Sequence, residues 1–128
     1  MKRKRLSVLV VDDEREIRQL LIDILEDAGH EVTCVPDGAS ARMLLAETHR
    51  RFDLALVDYL MPGEDGLSLI RRLREIRPDL VTVLLTGDTA ITGVASPEAG
   101  GPHSIITKPF GLSAVEEFIA GLMAEPAP

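Results

Sequence analysis

The sequence predicts an α/β protein built on a doubly wound parallel sheet. Three observations point there. The apolar pattern switches repeatedly between short continuous runs and helical stripes. The 128 residues suit one domain, since domains cluster at roughly 100–150 residues. Finally, the apolar runs end in polar residues whose chemistry can converge on one site, as expected where strand ends share a rim.

The elements follow in order. Leu6–Val11 is apolar except for Ser7 and reads as a strand buried on both faces. From Glu14 to Ala28 the apolar residues Ile17, Leu20, Leu21, Ile24, Leu25 and Ala28 form one helical stripe, and Gly29 stops it. Val32–Val35 is a short second strand. Asp37–Glu47, with Ala41, Leu44 and Leu45 on one side, is a second helix. Leu54–Val57 is a third strand. Leu67, Ile70, Leu73 and Ile76 mark a third helix, ended by Pro78. Leu80–Leu85 is a fourth strand and Ser104–Thr107 a fifth. Leu112–Met123 is a last helix, with Val115, Phe118, Ile119 and Leu122 inward. Right-handed crossovers between such strands leave a doubly wound sheet with helices on both faces. A single domain is expected over 1–128, with its folded core at about 6–123, a basic leader at 1–5 and a tail at 124–128.

The composition narrows the function. There are 21 acids and 14 bases, a formal charge of −7. Four of those bases are Lys2, Arg3, Lys4 and Arg5. Without them, ten bases face 21 acids, a charge of −11. Such a body repels a nucleic-acid backbone, so no direct nucleic-acid binding is expected. The leader reads as a solvated terminus or the end of a linker. One cysteine, Cys34, excludes a disulfide framework and a Cys-rich metal site. No apolar run approaches the ~20 residues of a membrane span, so the default is a cytoplasmic protein with no membrane contact.

The strand ends carry the chemistry. Strand 1 ends in Asp12-Asp13, strand 3 in Asp58, strand 4 in Thr86 and strand 5 in Lys108-Pro109. Three carboxylates on one rim repel one another, and a bound cation relieves that repulsion. Hard carboxylate oxygens suit Mg²⁺. With an ammonium and a hydroxyl beside them, they form a set able to stabilise a transferring phosphoryl group. One carboxylate then serves as nucleophile, giving an aspartyl phosphate. Each residue alone has a plainer reading. Asp12 or Asp13 can cap the helix that starts near Glu14, Thr86 can be structural, and Lys108 can be a solvated charge.

Four segments carry a family resemblance: VLVVDDE at 8–14, LVDYLMPGEDG at 56–66, LLTGD at 84–88 and ITKPF at 106–110. In order and spacing they resemble the receiver domain of two-component response regulators, over about Leu6 to Met123. The resemblance implies a flavodoxin-like sheet of five parallel strands in order 2-1-3-4-5. It implies Asp58 as phosphoacceptor and Mg²⁺ held by Asp13, Asp58 and the Leu60 carbonyl, with Asp12 acting through metal-bound water. Thr86 would bind a phosphoryl oxygen and switch position, Lys108 would pair with Asp58 or its phosphate, and Pro109 would follow a cis peptide. Met61-Pro62-Gly63 and Gly66 would carry the loop past the metal. The implied partner is a histidine kinase or histidine phosphotransfer protein, docked by the first helix and the loop after Lys108. The downstream partner is unknown. A domain of this kind is not an enzyme beyond assisting its own phosphorylation and dephosphorylation. The readings kept beside it are a docking module independent of phosphorylation and a Mg²⁺-dependent phosphohydrolase of the haloacid dehalogenase type. The second requires an Asp-x-Asp spacing that Asp12-Asp13 does not have.

Two departures from the family pattern stand out. The family often places an aromatic residue three positions before the Lys, and here that residue is Ile105. The ring-based half of the switch is then missing, so either Thr86 moves alone or output uses another surface. The stretch 87–104, where a fourth helix belongs, holds four Gly and two Pro. It predicts a short or irregular helix between Thr89 and about Ala95, because interior Gly and Pro cost a helix about 1 and 3 kcal/mol. Asp88 and Leu60, each two residues past a site position, are candidates for tuning phosphate loss, and Asp88 has an alternative as a helix cap. His30, His49 and His103 are expected at the surface. Cys34 is expected as a small core residue on an inner strand, and Tyr59 beside the site.

Overall fold

The structure is a computed structural model that describes residues 5–47, 49–87, 94–107 and 117. Five strands are defined: β1 Ser7–Val11, β2 Glu31–Val35, β3 Leu54–Asp58, β4 Val81–Thr86 and β5 Ser104–Thr107. All pair in parallel, in the order β2-β1-β3-β4-β5. Among the described residues, three α-helices join the first four strands: α1 Arg15–Asp27, α2 Gly38–Glu47 and α3 Gly66–Ile76. The expected fold class is therefore present.

The continuous apolar runs behave as strands covered on both faces. Val8, Val10, Leu54, Leu56, Val83 and Leu85 join Leu21, Ile24 and Leu25 of α1 in one core. Their neighbours Leu9, Val11, Ala55, Val57 and Leu84 join Ala41 and Leu45 of α2 and Leu69, Ile70 and Leu73 of α3 in the other. Successive strand residues alternate between these cores because strand side chains point to opposite faces. That is why Leu54–Val57 is wholly apolar; all five residues of β3, the terminal Asp58 included, are buried.

The helix ends are set locally. At the C-terminus of α1, the Gly29 N–H donates to the Glu26 carbonyl and the His30 N–H to the Leu25 carbonyl. With Gly29 at φ +92°, this is a Schellman ending. Asp37 precedes α2 and accepts the Ser40 N–H at 2.7 Å. That bond holds the Asp37 carboxyl below the usual carboxylate range. Asp65 caps α3 by accepting the Ser68 N–H at 2.9 Å.

Several expectations change. The residue capping α1 is Glu14, without a side-chain cap bond, rather than Asp12 or Asp13. His30 is buried rather than exposed, and its Nδ1 accepts the Leu6 N–H at 3.1 Å. Burial lowers its pKa below the ordinary 6.5. His49 and His103 are exposed, as expected. Cys34 lies on β2, which is an edge strand, and is half-buried against the α1-side core. Burial still pushes its thiol pKa up. Between β4 and β5 the one helical segment among the described residues is a 3₁₀ turn at Pro97–Ala99. Val94 and Ala95 are not helical. The rest of the expected fourth helix, and the helix expected over Leu112–Met123, lie outside the described residues apart from Glu117.

Candidate functional site

The site lies at the carboxyl edge of the sheet, where β1 and β3 run side by side. Val11 pairs with Val57 in register, so the chain leaves each strand at the same level. Asp12-Asp13-Glu14 follows β1, and Asp58 is the last residue of β3. One carboxylate oxygen from each of Asp12, Asp13, Glu14 and Asp58 lies within 4.8 Å of the others. Asp12 and Asp58 are buried, while Asp13 and Glu14 are exposed. Four carboxylates this close carry a strong mutual repulsion unless a cation shares them. An all-oxygen donor set, half of it open to solvent, fits a hard divalent ion that keeps part of its water shell.

The surroundings hold these groups in place. Asp12 Oδ1 accepts the Glu14 N–H at 2.9 Å, and the Asp12 carbonyl accepts from the Arg18 guanidinium of α1 at 2.7 Å. The turn after β1 is thereby tied to the first helix. On the other side, the Tyr59 N–H donates to the Leu85 carbonyl at 2.9 Å, extending the pairing of β3 and β4 one residue past Asp58. Thr86 ends β4 and is buried. It is in register with Thr107 of β5.

The loop after β3 turns back sharply. The Gly66 N–H donates to the Tyr59 carbonyl at 2.8 Å. A Cβ on Gly66 would lie 2.4 Å from the Asp58 carbonyl oxygen and 2.9 Å from Tyr59 Cα. Only glycine allows α3 to start so close to the residue that ends β3. Gly63, at φ +89°, makes the turn before it. Leu60 is 73% exposed at the front of this loop. Tyr59 is half-buried against the α2/α3 core, beside the site as expected.

Of the residues expected at the site, Asp12, Asp13 and Asp58 come together, with Thr86 on the neighbouring strand end. Ile105 is 43% exposed on β5, paired with Leu84. Asp88, Lys108 and Pro109 lie outside the described residues. Lys108 directly follows Thr107, the register partner of Thr86. Sequence reasoning did not assign Glu14 to the acidic group, although the unbroken Asp-Asp-Glu run was its signal. It also missed Arg18, whose contact spans six residues across a turn, and Glu64, which links two helices.

Comparison with known proteins agrees with this geometry. Residues 8–120 match the family model for the response regulator receiver domain. The response regulator receiver protein CpdR of Brucella abortus is 38% identical over 107 residues, covering 82% of this chain and 86% of that protein. The virulence transcriptional regulatory protein PhoP of Salmonella typhimurium is 36% identical over 119 residues, 93% of this chain but 51% of that protein. Likewise, the chain spans 22% of the DNA-binding transcriptional regulator NtrC of Azospirillum brasilense. Among solved structures, the response regulator TrrA of Thermotoga maritima, in complex with Mg²⁺-BeF, superposes with a TM-score of 0.79. It is 29% identical, and the match covers 91% of this chain and 98% of that one. A strand-end acidic cluster on a 2-1-3-4-5 parallel sheet and a family match over most of the length lead to one conclusion: the chain belongs to the response regulator receiver domain family of two-component signalling.

Proposed function

We propose that Asp58 accepts the phosphoryl group, drawn from the phosphohistidine of a histidine kinase or histidine phosphotransfer protein. The observation that carries this reading is the position of Asp58. It is a buried carboxylate at the end of the central strand, with the carboxylates of Asp12, Asp13 and Glu14 gathered around it. In the transfer, an Asp58 oxygen bonds to phosphorus as the P–N bond to the donor imidazole breaks. The electron pair stays on that nitrogen, which then takes a proton.

Asp13, Asp58 and the Leu60 carbonyl would hold Mg²⁺, and Asp12 would act through the ion's water shell. When bound, the ion supplies positive charge against the phosphoryl oxygens. Asp12 is fixed for this task by the Glu14 N–H, and its turn by Arg18. Thr86 offers its hydroxyl to a phosphoryl oxygen, and Lys108 pairs with the acceptor or its phosphate. By the family resemblance, Pro109 would follow a cis peptide. Leu60 and Asp88, each two residues past a site position in sequence, are the proposed residues that tune the lifetime of the phosphate. With Ile105 in place of an aromatic ring, the switch relies on Thr86 or on another surface.

The domain then acts as a signalling module over residues 1–128, not as an enzyme with an external substrate. Its acid excess disfavours direct contact with a nucleic-acid backbone. Among the described residues no helix is long and apolar enough to cross a membrane, which supports a cytoplasmic location. Docking of the kinase falls to α1 and the loop after Lys108.

Asp58→Asn tests the central assignment. Treated with acetyl phosphate and Mg²⁺, the parent chain should gain one acid-stable, base-labile phosphoryl group by intact mass, and the variant none. A variant that is still modified to the parent's extent would overturn Asp58 as acceptor.

A further inference from the structure

Glu64 sits in the loop between β3 and α3 and joins three elements. Its Oε1 meets the guanidinium of Arg42 from α2, and its Oε2 lies 3.1 Å from Nε of Arg72 on α3. The Glu64 side chain is 22% exposed, far less than a solvated loop glutamate. The first residue of α2 makes room for it. An ideal Cβ on Gly38 would stand 2.9 Å from Glu64 Oε1 and 3.1 Å from a Leu69 methyl. The carboxylate therefore rests on the backbone that opens α2. It also lines a cleft of about 840 Å³ whose wall includes Asp13 of the acidic cluster.

The loop needs such a tie. Its two ends are pinned, by Tyr59 on the Leu85 carbonyl and by Gly66 on the Tyr59 carbonyl. Between them Leu60, Pro62 and Gly63 are exposed, and Met61 is only partly covered. Glu64 is the residue of that stretch whose charged side chain reaches across to another element. Arg42 and Arg72 approach its two oxygens from different helices, which restricts its rotation as well as its position.

We propose that Glu64 is a positioning residue for the metal and phosphoryl site. Through Arg42 and Arg72 it holds the loop at the setting in which the Leu60 carbonyl faces the acidic cluster. This rests on the assignment of the Leu60 carbonyl as a metal ligand. Groups that orient metal ligands from behind commonly carry a share of the affinity. Because this tie is partly solvated, its share is modest.

Charge and position make opposite predictions here, which makes the idea testable. If Glu64 acted only as one more negative charge, Glu64→Gln would weaken Mg²⁺ binding and Arg42→Gln would strengthen it. If it acts by holding the loop, both variants weaken binding, by about two- to fivefold, the fold-change of a partly exposed ion pair. The double variant should then be no weaker than the worse single one. The measurements are calorimetric titration of the full chain with Mg²⁺ and amide exchange at residues 60–64, with a thermal melt to confirm folding. The emission of Tyr59 gives an independent signal, because the chain has one Tyr and no Trp. Faster exchange at 60–64 with weaker binding in both variants supports the proposal. Tighter binding in Arg42→Gln, or unchanged exchange in both, overturns it while leaving the site assignment intact. A parent chain that binds no Mg²⁺ overturns the site assignment and this proposal together.

Discussion

At the scale of single residues, the neighbourhood of Asp58, the proposed acceptor, depends on an atom that is missing. Gly66 lets the backbone of α3 touch the carbonyl of Asp58, at a separation no side chain permits. Gly66→Ala must push either the helix start or the acceptor aside. Overpacking of this kind costs about 1–3 kcal/mol. The expected outcome is a lower urea midpoint together with weaker beryllofluoride binding. A variant that keeps parental beryllofluoride affinity would show that the acceptor does not feel this contact. The acids of the site were legible in the sequence because charged residues directly after a buried apolar run have few roles. Glu64 was not, since a loop glutamate reads as solvated and its two arginines lie 22 and eight residues away. His30 was misread for a similar reason. A histidine after a helix-ending glycine looks exposed, and the backbone N–H that draws it inward belongs to Leu6, 24 residues earlier.

At the scale of elements, both strand starts opposite the site rely on a neutral imidazole. His30 Nδ1 accepts from Leu6, just ahead of β1. His103 Nδ1 accepts the Thr82 N–H of β4 at 3.0 Å. Both pKa values lie below the ordinary 6.5, through burial and, for His103, also through Arg74, with Glu98 opposing. The folded chain therefore resists protons that the unfolded chain accepts. Stability is fully present above about pH 6.5 and declines as pH falls below it. Urea midpoints measured from pH 7.5 to 5.5 should fall, and His30→Asn, which offers an oxygen where Nδ1 was, should flatten the slope. A midpoint that holds or rises over that range counts against this account. The strands and the first three helices were readable to within a residue or so, because burial on two faces forces continuous apolar runs. Strand order is different in kind. Cys34 sits on a short strand that lies at the edge of the sheet, and no local pattern states which strand has one neighbour and which has two.

At the scale of the whole molecule, the fold concentrates like charges on one rim. Asp58 is far along the chain from the consecutive Asp12, Asp13 and Glu14, yet one carboxylate oxygen from each lies within 4.8 Å of the others once folded. A divalent cation that binds only the folded form stabilises it by mass action, about 2.7 kcal/mol at a hundred times its dissociation constant. Mg²⁺ should therefore raise the melting temperature by several degrees in a concentration-dependent manner. Asp13→Asn should gain less from Mg²⁺ while melting higher than the parent in its absence, since one repelling charge is gone. Equal melting of parent and variant in chelator would argue against strain at this rim.

The two cores differ in the size of what the central strand gives them. β3 sends Leu54 and Leu56 toward α1 but Ala55 and Val57 toward α2 and α3. Every one of these is apolar, and Asp53 and Asp58 flank the run. A strand displaced by one position would carry one of those carboxylates into the sheet. It would also press leucines into slots shaped for alanine and valine, and leave voids on the opposite side. Steric volume and the flanking charges together therefore keep the count of residues along β3, and that count delivers Asp58 to the rim.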